Sequence, residues 1–392
     1  MDDAGLAFYF LQKIKDANLT RSLPNWVLSR LEQSFTANRQ RVDDMAQRFD
    51  SLNRQFRGAG VRYAVVKGLS IVPQFCPDAY LRHQGDFDYL VDEAWLPTAQ
   101  RIVLASGYIQ KPSTSNQESI FVTPGMSKAS RSPQQYSACA PHAVELHLEM
   151  WESDTHRLPP IPALFSVNRT RTQQWQGLSF PSLLEDDEFL LQVLHACQHL
   201  FTYWIRMSSL FEIGYFLHRR AGDTELWKQI ERRVGENAML REFVVVITEL
   251  VADLFAAPVP TLVQGWAHAI RPATRVWIEN YARQCAFCII PSHDLCVLPT
   301  SKLVLFLHQQ YEDACVDEHA VRGRLMSFPR LTRMASALRA KPSLFLSRSW
   351  WKRNLVIRRS LFHLLAGFRY VCEIPRWRWL NRANLRPTSP SP

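Results

Sequence analysis

The chain has 392 residues, of which 47% are hydrophobic, so it can bury a sizeable core and is not an intrinsically disordered protein. The formal net charge is +10, but residues 339–392 hold 12 Lys and Arg side chains against one acid, which leaves 34 basic and 35 acidic side chains elsewhere. This distribution indicates a basic tail on a nearly neutral body, and it does not support a protein that binds nucleic acid over its whole surface.

The compartment is predicted from the start of the chain and from its cysteines. No apolar run reaches the roughly 18 residues of a membrane-spanning helix. The opening stretch, MDDAGLAFYFLQKIKD, is acidic and then amphipathic, whereas a signal peptide begins with basic residues. Eight cysteines are scattered through apolar segments, which favours reduced, buried thiols over a disulfide framework. We therefore expect a cytoplasmic protein.

The first half of the chain changes from helical to strand patterns. Apolar residues at steps of three and four predict N-terminal helices over residues 1–57. Four short runs, VRYAVV, FDYLV, SIFVT and AVELHLEM, predict strands, and EAWLPTAQRIVLASGY predicts a helix that ends at Gly107. We assign residues 58–185 to an α/β core. The Ser, Pro, Gln and Gly content between Ser113 and Pro141 predicts a long loop or a mobile insert within it.

The second half is helical in pattern. Segments such as DEFLLQVLHACQHLFTYWI and LREFVVVITELVADLFAA predict an α-helical domain over residues 186–338. Residues 339–392 form the basic, aromatic tail, whose last stretch, RPTSPSP, is expected to be disordered.

Three acids on two predicted strands suggest a metal site. Asp86 and Asp88 share one face of the strand DFDYLV, because side chains alternate along a strand. Glu145 shares a face of AVELHLEM with His147 and Glu149. Adjacent carboxylates repel each other unless a cation lies between them, and oxygen ligands suit Mg²⁺ or Mn²⁺. The alternative is that Asp-x-Asp marks only a solvated strand edge.

A glycine turn precedes the acidic strand. The segment VVKGLS runs from a strand into Gly68 and Ser70, and in such a turn backbone N–H groups can approach phosphate oxygens. The glycine turn, the Asp-x-Asp strand and the third acid occur in the order of one enzyme class, so together they are more specific than any of them alone.

With these motifs the chain resembles the nucleotidyltransferase superfamily that includes DNA polymerase beta, and within it a bacterial family of uncharacterised nucleotidyltransferases. The resemblance covers roughly residues 20–220. It implies an α+β fold, with a small mixed-sheet core behind N-terminal helices and an α-helical C-terminal domain. Glu145 and Glu212 stand where the family usually has aspartate, and Lys67 replaces a small residue of the wider superfamily's turn. The matching segments are Lys67 with Gly68, Arg82 before GDFDYLV, VELHLEM, and the helix LLQVLHACQHLF.

The implied reaction is the attack of an acceptor oxygen or nitrogen on the α-phosphorus of a nucleoside triphosphate, with pyrophosphate leaving. The expected cofactor is Mg²⁺ or Mn²⁺, and the acceptor is unidentified. The resemblance implies that the catalytic and metal-binding residues are Asp86, Asp88 and Glu145, and that the nucleotide-binding residues are Lys67, Gly68, Ser70 and Arg82.

Other motifs leave alternatives open. His195 and His199, four residues apart on one helix, have zinc-binding spacing, but a packing or hydrogen-bonding role is the alternative.

The basic tail fits packing on the body, contact with an anionic membrane surface, or a nucleic-acid arm. A second hypothesis for the whole chain is a non-catalytic interaction module that uses this tail. The segment that holds Cys285, Cys288, His293 and Cys296 resembles a zinc knuckle with altered spacing. The alternative is that its cysteines are buried thiols.

Overall fold

The computed structural model describes residues 4–111, 117–124, 141–151, 163–202 and 205–287, together with the single residues 136, 161, 375 and 379. It divides into two compact units, residues 1–199 with 206–268, and residues 200–205 with 269–392. Nearly all of the basic tail, most of the predicted loop after Ser113, and Cys288, His293 and Cys296 lie outside the described residues.

The first unit is built on a mixed seven-stranded sheet with the strand order β3-β4-β5-β2-β1-β7-β6. Strand β2 runs antiparallel to β1 and parallel to β5. Strand β1 pairs in parallel with β7. The strands are β1 (Tyr63–Val66), β2 (Asp86–Val91), β3 (Ile109–Gln110), β4 (Glu118–Val122), β5 (Ala143–His147), β6 (Thr170–Trp175) and β7 (Leu178–Leu183).

One face of the sheet packs against the N-terminal helices. The long helix α2 (Asn25–Gly58) presents Phe49 and Phe56 to Tyr89 of β2, with ring centroids 6.2 and 5.2 Å apart. Tyr89 is fully buried, so this aromatic layer fixes the strand that carries the two aspartates. The other N-terminal helix is α1 (Ala7–Asp16), and α3 (Leu96–Ala105) follows β2 along the chain.

The opposite face packs against the next helix along the chain. Leu90, which points away from Tyr89, belongs to a buried cluster with Leu191 of α4 (Glu185–Thr202). The helices that follow in the first unit are α5 (Met207–Arg220), α6 (Thr224–Val234), α7 (Ala238–Phe255) and α8 (Thr261–Ala267). In the second unit the described helices are α9 (Pro272–Trp277), a π-helical segment (Ile278–Ala282) and α10 (Arg283–Phe287).

The predicted α+β class, with helices before a mixed sheet and helices after it, is confirmed for the described residues.

The hairpin of β6 and β7 was not predicted from the sequence. Its strands join through Gln176 and Gly177, which both have positive φ, as the central residues of a tight hairpin turn require. None of the helices that the structure describes is long and apolar enough to cross a membrane.

Candidate active site

Two of the predicted acids are direct neighbours across the sheet. Asp88 of β2 pairs in register with Glu145 of β5, and in a sheet such partners point to the same face. Both lie on the face that packs against α4, where Asp88 is 4% exposed. The sequence-based expectation that the two strands bring these carboxylates together agrees with this register.

A histidine lies between the two acids. His147 Nε2 is 3.2 Å from Asp88 Oδ1 and 3.7 Å from Glu145 Oε2. One ligand atom from each of the three residues lies within 4.8 Å of the others, which is close enough to hold one metal ion. On the other side of the ring, His147 Nδ1 is 3.5 Å from Oε1 of Glu118, its register partner on β4.

Asp86 lies on the same face as Asp88, two strand residues earlier, a separation of roughly 6.6 Å along the strand. Its register partner is Ala143, and within the described residues it is not part of the three-residue metal cluster. Burial and the charge of Asp88 raise the pKa of Asp86, although Lys67 and Arg82 oppose this shift. Its role as a metal ligand stays a prediction.

Lys67 provides the positive charge closest to Asp88. Its Nζ lies 2.9 Å from Asp88 Oδ1, the same oxygen that His147 contacts. Burial disfavours the ammonium, but the charges of Asp88, Glu145 and Asp86 outweigh this effect and raise the pKa of Lys67. The backbone of Lys67 has φ 60° and ψ −165°, a region that is essentially restricted to glycine, so the residue is strained. Strain of this kind is concentrated at functional sites.

The glycine turn follows Lys67 directly, as a 3₁₀ turn over Gly68–Ile71. Gly68 has φ +53°, and a Cβ atom there would lie 2.5 Å from Nε2 of Gln84. Gln84 in turn donates to the backbone oxygen of Asp86 at 2.5 Å. The positive φ favours glycine at this position, where the turn lies against the segment that enters β2.

Ser70 points into the protein. Its hydroxyl is fully buried and contacts the backbone oxygen of Lys67 at 2.9 Å and Glu188 Oε1 at 2.8 Å. Arg171 holds the other oxygen of Glu188 at 2.9 Å. Burial raises the pKa of Glu188 to about 7, although Arg171 and Ser70 lower it. These contacts fix the turn to α4, and a direct nucleotide contact from Ser70 stays a prediction.

Arg82 is paired with a buried acid. Its Nε donates to Oε1 of Glu212 at 3.0 Å, and the hydroxyl of Tyr9 donates to the same oxygen at 2.9 Å. Glu212 is 1% exposed, so Arg82 compensates a charge that water cannot reach. Arg82 also acts electrostatically on Asp86. The pairing gives Arg82 a structural role beside its predicted role as a phosphate ligand.

The histidines of α4 lie beside the site. His195 follows Leu191 by one helical turn, and its Nε2 is 3.2 Å from Nε2 of His199. Burial lowers the pKa of His195, and the charge of Lys67 lowers it further. The observed contact fits the hydrogen-bonding alternative. Within the described part of the chain these two residues are not part of a group of three potential metal ligands.

The donor set fits a divalent cation. Burial, together with the charges of Asp88 and Asp86, raises the pKa of Glu145 to about 9. Burial would also raise the pKa of Asp88, but Lys67 and His147 outweigh this effect and hold that pKa well below its usual range. The cluster therefore has more carboxylate than its nearby positive charge can neutralise, and a divalent ion held by Asp88, Glu145 and His147 would offset the excess.

The sequence placed His147 on the face of Glu145, but His147 was not predicted as a metal ligand. Glu118, beside His147, was not predicted at all. Glu118 gave no signal of its own, because its place beside His147 depends on the pairing of β4 with β5.

A comparison with known families agrees with this geometry. The family model described as uncharacterised nucleotidyltransferase matches residues 1–256, which include the sheet, the glycine turn, the acidic cluster and helix α4. No curated protein matches the chain in sequence. Since the family model covers well over half of the 392 residues, the chain belongs to this family of nucleotidyltransferases.

Proposed function

We propose that the chain is a metal-dependent nucleotidyltransferase that transfers a nucleoside monophosphate from a nucleoside triphosphate to an acceptor hydroxyl or amine. The observation that carries the proposal is the cross-strand pair of Asp88 and Glu145, next to the strained turn at Lys67, within the residues that the family model matches. A strained backbone beside converging carboxylates indicates a catalytic site more than a structural one.

Each side chain has a role that its position supports. Asp88, Glu145 and His147 would hold the cation, with Asp86 as the further acid on the same face. A divalent cation in such a site neutralises triphosphate charge and makes the acceptor's proton easier to remove.

Lys67 and Arg82 are assigned to the phosphates of the nucleotide, because both place positive charge beside the acidic cluster. Glu145, as a ligand of the cation, is assigned to assist removal of the acceptor's proton. The backbone of the turn at Gly68 would approach the phosphates closely.

Location and further partners remain predictions. Composition predicts a cytoplasmic protein, and contact of the basic tail with an anionic membrane is one of the alternatives for that tail, which lies almost wholly outside the described residues.

The proposal is tested by pyrophosphate release. The full-length protein is incubated with each of the four nucleoside triphosphates, Mg²⁺ or Mn²⁺, and a cell extract as the source of acceptors. Release with at least one triphosphate, lost in Asp88→Asn, is the expected result. Equal release from the two proteins, or none from either, would contradict the proposal. The second result would favour a non-catalytic interaction module.

A further inference from the structure

The metal cluster contains one nitrogen donor. His147 Nε2 faces Asp88 Oδ1 at 3.2 Å and Glu145 Oε2 at 3.7 Å, and only 7% of its side chain is exposed. Ligands about 2.1 Å from one ion lie roughly 3 Å apart at the edges of its coordination shell, so these separations suit neighbouring ligands of a single ion. The imidazole is as well placed as either carboxylate to bind it.

A carboxylate lies behind the imidazole. Glu118 Oε1 is 3.5 Å from His147 Nδ1, and the register of β4 with β5 places these two residues directly opposite each other. A carboxylate on the far nitrogen of a metal-bound histidine fixes the ring's orientation and tautomer and makes the bound nitrogen more basic. With Glu118 on the Nδ1 side, Nε2 is directed at Asp88 and Glu145.

The donor type affects which ion is preferred. Mg²⁺ takes oxygen ligands in a strict octahedron and keeps several waters, whereas imidazole suits transition ions. Mn²⁺ accepts the carboxylates of this site, and as a transition ion it also accepts nitrogen.

We propose that His147 binds the metal directly through Nε2, that Glu118 is the residue that positions its ring, and that the site therefore prefers Mn²⁺ to Mg²⁺. This inference rests on the proposed function for its expectation that a divalent cation binds at Asp88 and Glu145.

Pulsed electron paramagnetic resonance of Mn²⁺ bound to the full chain tests the nitrogen ligand directly. The wild-type protein should show the ¹⁴N coupling of a bound imidazole. His147→Asn should lose it, whereas His268→Asn, a change at an exposed histidine, should keep it. A wild-type spectrum without nitrogen coupling overturns the proposal. So does coupling that persists in His147→Asn, since another histidine would then be the ligand.

Calorimetric titrations with Mn²⁺ and Mg²⁺ test the ion preference and the role of Glu118. Glu118→Gln should weaken Mn²⁺ binding about 10- to 100-fold. Glu225→Gln, at a side chain that is 72% exposed, should leave it unchanged. His147→Asn should weaken Mn²⁺ binding more than Mg²⁺ binding. If that variant does not fold, as judged by circular dichroism, the wild-type spectrum and Glu118→Gln decide the matter.

These experiments distinguish failure of the metal-ligand inference from failure of the proposed function. Nitrogen-bound Mn²⁺ in a protein that releases no pyrophosphate supports this inference and contradicts the proposed function. Pyrophosphate release by a protein whose Mn²⁺ has only oxygen ligands contradicts this inference and supports the proposed function. Failure of the wild-type protein to bind Mn²⁺ overturns the inference.

Discussion

The ammonium of Lys67 lies 2.9 Å from Oδ1 of Asp88, and both side chains are largely buried, at 15% and 3% exposure. Lys67 directly follows β1, and the register of β1 with β2 sets Val66 opposite Asp88. The pair therefore spans two adjacent antiparallel strands. The charges of Asp86 and Glu145 also act on Lys67, so this cation interacts with three carboxyl groups.

Removal of the lysine charge should destabilise the fold. Lys67→Met keeps the length of the side chain but leaves Asp88 buried without its partner, and we expect a loss of about 3 kcal/mol in the free energy of unfolding. The double variant Lys67→Met with Asp88→Asn should lose less than the sum of the two single losses, by about 1–3 kcal/mol. Urea denaturation of the four proteins measures this coupling, and strictly additive losses would contradict a direct pair.

The backbone strain at Lys67 gives a separate prediction. Both Lys67→Gly and Lys67→Ala remove the ammonium, but only glycine adopts φ 60° and ψ −165° without strain. We expect the glycine variant to be about 1–3 kcal/mol more stable than the alanine variant, which is the opposite of the usual order of these residues outside turns. An alanine variant as stable as the glycine variant in urea denaturation would rule out strain at this position.

The pair of Arg82 and Glu212 separates structure from substrate binding. Arg82→Met leaves Glu212 buried with Tyr9 as its partner, and the free energy of unfolding should fall by about 3 kcal/mol. Adding Glu212→Gln should recover part of this stability.

If Arg82 also binds phosphate, the double variant should still bind a non-hydrolysable triphosphate more weakly than the wild-type protein, as measured by calorimetry. Wild-type affinity in the stable double variant would limit Arg82 to its structural role.

His142 should make the protein sensitive to acid. It is buried and contacts the hydroxyl of Tyr108 at 2.7 Å. Burial, together with the charges of Arg48 and Arg41, lowers its pKa to about 4. The unfolded chain has the ordinary value of about 6.5, so it binds the proton more readily than the folded protein. The contribution of neutral His142 to the free energy of unfolding is complete above pH 6.5. It is lost as the pH falls through 4, and the loss is at most about 3 kcal/mol.

The test compares His142→Gln with wild type and with His268→Gln, which changes an exposed histidine. Denaturation midpoints between pH 7 and pH 4 should fall less steeply in His142→Gln than in the other two proteins. Identical slopes in all three would assign the acid sensitivity to other groups.

Much of the central sheet could be predicted because its strands are short runs marked by β-branched residues or by alternation of apolar and polar residues. VRYAVV, FDYLV, SIFVT and AVELHLEM correspond to β1, β2, β4 and β5 within one or a few residues. The β6–β7 hairpin was missed because its turn uses Gln176 and Gly177, which is not among the strong turn dipeptides.

The candidate site was predictable where alternation alone places the residues. Alternation places Asp86 and Asp88 on one face of β2 and Glu145 with His147 on one face of β5, and the family resemblance implied that the three acids form one site. The register that sets Asp88 opposite Glu145 is a finding of the structure. The contacts of Glu118 with His147, and of Glu212 with Arg82, join residues 29 and 130 positions apart, and only the tertiary fold brings them together.

Nucleotidyl transfer moves the α-phosphorus of the triphosphate to the acceptor, so the position of a radioactive phosphorus distinguishes it from phosphoryl transfer. The full-length protein is incubated with acceptor-containing extract and a nucleoside triphosphate labelled on either the α- or the γ-phosphorus, with Asp88→Asn as the control. We expect that the wild-type protein attaches the α-label to an acceptor and releases the γ-label in pyrophosphate, and that Asp88→Asn does neither. Attachment of the γ-label to the acceptor would show phosphoryl transfer instead, and would contradict the account.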